Sequence, residues 1–330
     1  MVVLLKYTIA AFNFSASLYA AAVVEKQVYL SKFEQYMKLH LQADDAGIGK
    51  QATEMILDAW EQDMINGFGI VSNKNCGELI KATLTKNKER VCIISAHLNL
   101  TDGAALSTCN KTTITSAEGR LNTGFVKAFF YLLINGKRKK QFLNDVYKEW
   151  NCQLSYIKEI TANREVLVIN GHNHIHMLPS LFGITNQLAQ KYNIPYVRVI
   201  QERVMTPGKL QIHRLFFWKN FCKLIALRIC RVIIQIRKMK YQPFTQENFG
   251  VLYSGHITGM HLQNAIRSAE KRRVRSLEVI LHPGQSQEDE MQQWASFKSG
   301  KDFFTHTRRR KEWEALKQLK EANGVTDLHY

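Results

Sequence analysis

Three histidines at a spacing of two, His172, His174 and His176, follow an apolar run at 166–169. On an extended backbone that spacing turns all three to one face. Converging imidazoles suit a divalent ion; a polar loop touching solvent is the bland alternative. Asp44 and Asp45 follow another apolar run and precede Ala46 and Gly47. Adjacent carboxylates point in different directions, so one can ligate an ion while the other takes a proton. Alone, such a pair would simply cap a helix. Asp45, His97 and His172 together make an Asp-His-His set with open positions for water and substrate. An ion held there would lower the pKa of a bound water and polarise a carbonyl. Asp44 would be the base, and His282, in His-Pro-Gly, could protonate a leaving amine.

These residues need elements that bring them together. Short apolar runs at 39–43, 68–71, 91–96, 166–170, 196–200, 251–254 and 277–281 read as strands. Helix-like segments lie between them, at 51–66, 140–161, 181–192 and 261–271. Strand-helix alternation of this length predicts an α/β fold with mostly parallel strands. About seven such units suit a distorted (β/α) TIM-like barrel better than an open sheet, and barrel chemistry sits at the strand C-terminal ends. Asp44-Asp45, His97, His172 and His282 all fall at such ends.

The chain has 330 residues, 45% of them hydrophobic, which is enough for one large domain or two smaller ones. No stretch is of low complexity. The formal charge of +17 favours an anionic partner: nucleic acid, a phosphorylated substrate or an acidic membrane surface. Six cysteines form no CxxC pair and read as reduced core thiols of a cytoplasmic protein, not a disulfide framework. Residues 1–37 read as an extension. Within it, 7–24 has roughly the shape of a signal peptide or anchor, broken by Asn13, Ser15 and Ser17. The expected organisation is a domain over 38–300, an insertion at 205–245 and a charged helical tail at 301–330. In that tail Arg308-Arg309-Arg310-Lys311 reads as a solvated face.

Four ordered blocks resemble those of the YdjC-like carbohydrate deacetylase family, which includes bacterial chitooligosaccharide deacetylases. They are Gln42-Ala43-Asp44-Asp45-Ala46-Gly47, His97-Leu98-Asn99-Leu100-Thr101, Gly171-His172-Asn173-His174-Ile175-His176-Met177-Leu178-Pro179 and Glu278-Val279-Ile280-Leu281-His282-Pro283-Gly284. The resemblance implies a distorted (β/α) barrel that hydrolyses the N-acetyl group of an amino sugar with a bound divalent metal, often Mg²⁺. Carried over, Asp45, His97 and His172 are the metal ligands and Asp44 is the base. His282 fits a proton donor, and Arg198, which falls where the family often has an arginine near the site, is read as a substrate contact. His174 and His176 are taken as outer support or substrate contacts. The sequence departs from the family pattern at Asn170, usually Asp, and Ala46, usually Phe. Asn170 is expected to loosen the orientation of His172. Asp-His-His sets also accept Zn²⁺, Mn²⁺ or Co²⁺.

Residues 214–240 are both apolar and basic. At about 100° per residue, Phe217, Trp218, Phe221, Leu224, Ile225, Ile229, Val232 and Ile236 share one broad face, with Lys219, Lys223, Arg231, Arg237 and Lys238 opposite. Charges recur too often for a spanning helix. An interfacial helix on an anionic membrane surface fits, peripheral on the inner face of the membrane. The alternative is a core-packed helix with a wet basic side. An interfacial helix beside a deacetylase pocket suggests a lipid-linked amino sugar; a soluble chitooligosaccharide is the other substrate. Two other functions are weighed: a metal-dependent phosphoesterase, and a non-enzymatic protein binding a membrane surface or nucleic acid. Nucleic acid is not expected, because the basic patches lack the aromatic interleaving of a binding platform.

Overall fold

Apolar runs bounded by turns form the strands, and the amphipathic stretches between them form helices that cover the sheet. The computed structural model describes residues 37–72, 76–107, 112–204, 214–294 and 298–323. In chain order the elements are β1 (Lys38–Ala46), α1 (Lys50–Glu61), β2 (Gly67–Ile70), α2 (Gly77–Lys86), β3 (Ile93–Leu98), α3 (Phe125–Leu133) and α4 (Lys137–Ile160). Then come β4 (Val166–Gly171), a 3-10 turn (His172–Met177), α5 (Pro179–Lys191), β5 (Tyr196–Val197), α6 (Arg214–Ile236) and β6 (Glu247–Phe249). The last are α7 (Gly259–Lys271), β7 (Ser276–Leu281), α8 (Glu288–Trp294), α9 (Lys298–Thr305) and α10 (Arg308–Asn323).

The seven strands lie in the order β5-β4-β3-β2-β1-β7-β6, and every pair is parallel. The two edges return toward each other: backbone bridges join Val197 to Pro243 and Glu202 to Asn248. The sheet thus curls into the expected distorted (β/α) barrel. Helix α4 shows how the outer layer is held. Phe142, Val146, Trp150, Leu154 and Ile157 recur at helical spacing and are all fully buried. Burial of each such side chain contributes about 1.5–3 kcal/mol.

Four expectations are corrected. Residues 251–254 are a turn, and the strand lies just before it, at β6. Gly250 takes φ +127°, which ends the extended run, and the Val251 and Leu252 amides donate to the Glu202 carboxylate instead of a neighbouring strand. The three spaced histidines do not share one face of an extended backbone. They lie in the 3-10 turn, where Asn173 and His174 have φ of 54° and 57°. The Arg308–Lys311 run is not a uniformly solvated face, because helical periodicity turns Arg309 and Glu312 inward to 1% and 0% exposure. The cysteines are not all core thiols: Cys76 and Cys230 are buried, but Cys222 is exposed.

Helix α6 also divides differently from its reading. Leu224, Leu227, Cys230 and Ile234 are buried, whereas Trp218, Ile225, Ile229, Val232 and Ile236 are exposed. Phe221 is half-buried against the core. A helix apolar on most of its circumference gives the core one stripe and leaves a second outside. The signal-like stretch 7–24, Cys109 and the side chain of Phe217 lie outside the described residues. No described helix is long and apolar enough to cross a membrane.

Gly250 supplies a stability test. A Cβ there would lie 2.2 Å from the Ile280 carbonyl oxygen, in a backbone conformation that side chains rarely adopt. Gly250→Ala should therefore destabilise the fold by about 1–3 kcal/mol, read as a lower midpoint in denaturant melts.

Candidate metal centre and active site

β1 ends in a bulge. Its register against β2 shifts between Ala43 and Ala46, and Asp45 takes φ +75°. Strand alternation would separate the two carboxylates, yet both reach His97 on β3. Asp44 Oδ2 lies 3.8 Å from its Nδ1, and Asp45 Oδ1 lies 3.4 Å from its Nε2. Gly69 on β2 leaves the room, since a Cβ there would stand 2.9 Å from Asp44 Oδ1 and 3.3 Å from His97 Cβ. His172 enters from the end of β4, with Nδ1 3.0 Å from Asp45 Oδ1 and 3.3 Å from His97 Nε2. Ligand atoms from Asp45, His97 and His172 all lie within 4.8 Å of one another, and the three residues are buried.

The neighbours set the ring of His97. Asp44 only accepts, so the Asn170 amide nitrogen must face it, and does, at 3.2 Å. That leaves the Asn170 oxygen 2.8 Å from His97 Nδ1. Nδ1 must then donate, and the Nε2 lone pair is aimed at Asp45 and His172. Asn170 therefore orients His97, not His172 as expected. Burial alone would lower the His97 pKa, but Asp44 and Asp45 outweigh it and raise it. The same field would draw in a cation. One carboxylate oxygen and two imidazole nitrogens, converging in that field, fit a divalent ion.

Asp44 is held by Arg198. The guanidinium makes two bonds to the carboxylate, at 2.5 and 3.0 Å, and its Nε donates to Glu278 Oε1 at 2.8 Å. Burial would raise the Asp44 carboxyl, but Arg198 and His97 hold it below its ordinary value, so it stays ionised. Arg198 is fully buried and spent on these two acids, which corrects its expected contact with substrate. Of its two expected places, outer support or substrate contact, His176 takes the first. It is fully buried, with Nε2 2.8 Å from the Arg198 carbonyl oxygen. His174 does line the cavity, a space of about 1620 Å³ that Asp44, His97, His172 and His282 also line.

Arg309, on α10, reaches the site from far along the chain. Both terminal nitrogens lie 3.0 Å from Asp45 Oδ2, and Nε donates to the Gly284 carbonyl. Burial would raise the Asp45 carboxyl, but Arg309 and His172 hold it well below the usual range. The inward phase of the α10 helix was the available signal for Arg309, hidden in a run of four cations. Glu312, one turn on, accepts from the backbone amides of Gly255 and His282 at 2.8 and 2.7 Å. Burial pushes the His282 imidazole down to about 4, against the pull of Asp45. His282 therefore rests neutral.

The basic residues of α6 divide as well. Lys219 and Lys223 line the cavity, Lys219 exposed and Lys223 half-buried. Burial lowers the Lys223 pKa to about 8, although Asp45 and Asp44 pull it up. Arg231 is half-buried.

Two variants test this geometry. His97→Ala should abolish bound divalent metal, measured by elemental analysis, while the protein still melts cooperatively. Arg309→Gln should free Asp45 Oδ2 and weaken divalent-ion binding by about 10–100-fold in calorimetry, the usual effect of losing a ligand's supporting partner.

The YdjC-like protein family matches residues 38–322. A carbohydrate deacetylase of Oceanobacillus iheyensis is 22% identical over 256 residues, which cover 77% of this chain and 88% of that protein. A carbohydrate deacetylase of Halalkalibacterium halodurans is 27% identical over 162 residues, covering 48% of this chain and 62% of its own length. A chitooligosaccharide deacetylase of Yersinia enterocolitica is 21% identical over 157 residues, covering 48% and 57%. The alignment thus spans less than two thirds of the Halalkalibacterium and Yersinia proteins. The crystal structure of an Enterococcus faecalis protein named for cellobiose-phosphate cleavage shares the fold. Its TM-score is 0.57 at 16% identity, over 85% of this chain and 95% of that one. The match over residues 38–322 places this chain in the YdjC-like family.

Proposed function

We propose that this protein is a hydrolase that removes the acetyl group from an N-acetylated amino sugar, using a divalent ion held by Asp45, His97 and His172. The observation that carries the reading is the convergence of these three donors beside the ionised Asp44, at a cavity in a chain whose relatives are named for deacetylation. When bound, the ion would acidify a water and polarise the acetyl carbonyl. Mg²⁺ is the ion the family resemblance favours; the donor set also accepts Zn²⁺, Mn²⁺ or Co²⁺.

In this reading Asp44 takes a proton from the attacking water. Arg198 keeps it ionised and aimed, and its low proton affinity suffices because that water is acidified. The C–N bond then breaks, and the departing nitrogen takes up a proton. His282, resting neutral, acts as a relay: it receives the proton that Asp44 took from the water and gives it to the amine. His174 contacts the sugar from the cavity wall. Among the described residues one three-donor group of this kind occurs, which gives a two-ion phosphoesterase no second set of ligands. A lipid-linked amino sugar is the substrate form suited to the exposed apolar side of α6 beside the cavity.

Asp44→Asn should keep its metal and its melt but lose about 10²–10⁴ in kcat. The assay is acetate release from N-acetylated amino sugars by the full chain, with metal content measured on the same samples. Near-normal turnover in that variant would remove Asp44 from the reaction. Chelation should abolish acetate release, and adding back the ion should restore it.

A further inference from the structure

Two helices border the cavity, and each turns an apolar stripe outward. On α3 and the residue after it, Val126, Phe129, Phe130, Leu133 and Ile134 keep the i, i+3, i+4, i+7, i+8 spacing of a single helix face. That face points away from the core: the five are 42–66% exposed, and Ala128 is the buried residue of α3. On α6 the outward stripe is Trp218, Ile225, Ile229, Val232 and Ile236, 41–73% exposed. Val126 and Phe130 from α3, with Lys219 and Cys222 from α6, line the same cavity. Apolar surface of this extent is rarely left in water.

Charge identifies what covers it. Residues 119–144, which contain α3, carry six Lys or Arg and no Asp or Glu. Residues 204–246, which contain α6, carry nine and none. The net charge is +17, so the rest of the chain is nearly balanced, at +2. Almost the whole excess sits in the two segments that carry the stripes. Lys137, Arg138 and Lys140 follow α3 directly and are exposed. A second copy of this chain would set cations against cations. An anionic bilayer meets both features, with its acyl boundary for the stripes and its phosphates for the cations.

We propose that α3 and α6 form one docking face that seats the cavity mouth on an anionic lipid bilayer, where the substrate's amino sugar is presented on a lipid. The last clause rests on the deacetylase reading; the docking face does not.

The test is sedimentation of the full chain with vesicles of phosphatidylcholine alone, or mixed with phosphatidylglycerol, at low and high salt. The protein should bind the mixed vesicles and weaken with salt. Lys137→Ser with Lys140→Ser should lower binding about 30-fold. Phe129→Ser with Leu133→Ser, and Ile229→Ser with Val232→Ser, should each lower it about tenfold or more. None of these residues lines the cavity, so acetate release from a soluble N-acetylated sugar should be unchanged. Equal binding to both vesicle types, or full binding by all three variants, would overturn the proposal. So would a wild-type dimer that Phe129→Ser with Leu133→Ser separates in analytical ultracentrifugation, since the face would then join two copies. Vesicle binding without acetate release would keep the docking face and remove the deacetylase reading; acetate release without vesicle binding would do the reverse.

Discussion

A buried guanidinium holds the barrel interior together. Arg198 has no exposed surface and lies between Asp44 on β1 and Glu278 on β7. Asn248 on β6 donates to the other oxygen of Glu278 at 2.7 Å. Taking three charges out of water costs several kcal/mol per ion, and only good geometry with further hydrogen bonds offsets it. A barrel filled with aliphatic side chains would be as stable or more so. What the ionic network adds is direction: Asp44 cannot rotate without leaving Arg198 unpaired. Because Asp44 is fixed, Asn170 has one orientation, and because Asn170 has one orientation, His97 presents a single nitrogen to the metal group. The donor geometry thus depends on a charge pair of which only Asp44 lines the cavity.

Much of this was legible from residue types and order. Strand-helix alternation pointed to a barrel, and Asp45, His97 and His172 do fall together at strand ends. What was not legible had physical causes. Period-two spacing of His172, His174 and His176 is meaningful only on an extended backbone, and two left-handed residues made a turn of it. The turn sends His172 to the metal group, His174 to the cavity wall and His176 into the core. Nothing local distinguishes Arg198 from a solvated cation, and the helical phase that turns Arg309 inward is masked by a run of four cations. Their partners, Asp44 and Asp45, lie 154 and 264 residues away. In α6 the apolar residues number enough for two stripes, and composition alone does not say which stripe the core takes.

The late helices are part of the site in consequence. Phe304 on α9 stacks on His172, with ring centroids 5.7 Å apart. Arg309 lies 5.2 Å from the centre of the Phe304 ring and also holds Asp45. Leu316 and Leu319 are buried on the same helix that carries Arg309 and Glu312. An ion held by Asp45 would therefore be coupled to the packing of α10, since any ligand that favours the folded site stabilises the helix by the same free energy.

The distribution of charge follows the same division between structure and use. Inside the barrel Asp44 and Asp45 are each matched by a guanidinium, and Glu202 and Glu312 by backbone amides, as burial requires. The surplus of positive charge lies almost wholly in the two segments that border the cavity. Those segments also leave apolar side chains in water, a cost with no return in the packing of the barrel itself. A fold selected only for stability would dilute such cations with acids and turn the stripes inward. Keeping both at one mouth is intelligible if the surface they meet is itself anionic outside and apolar within.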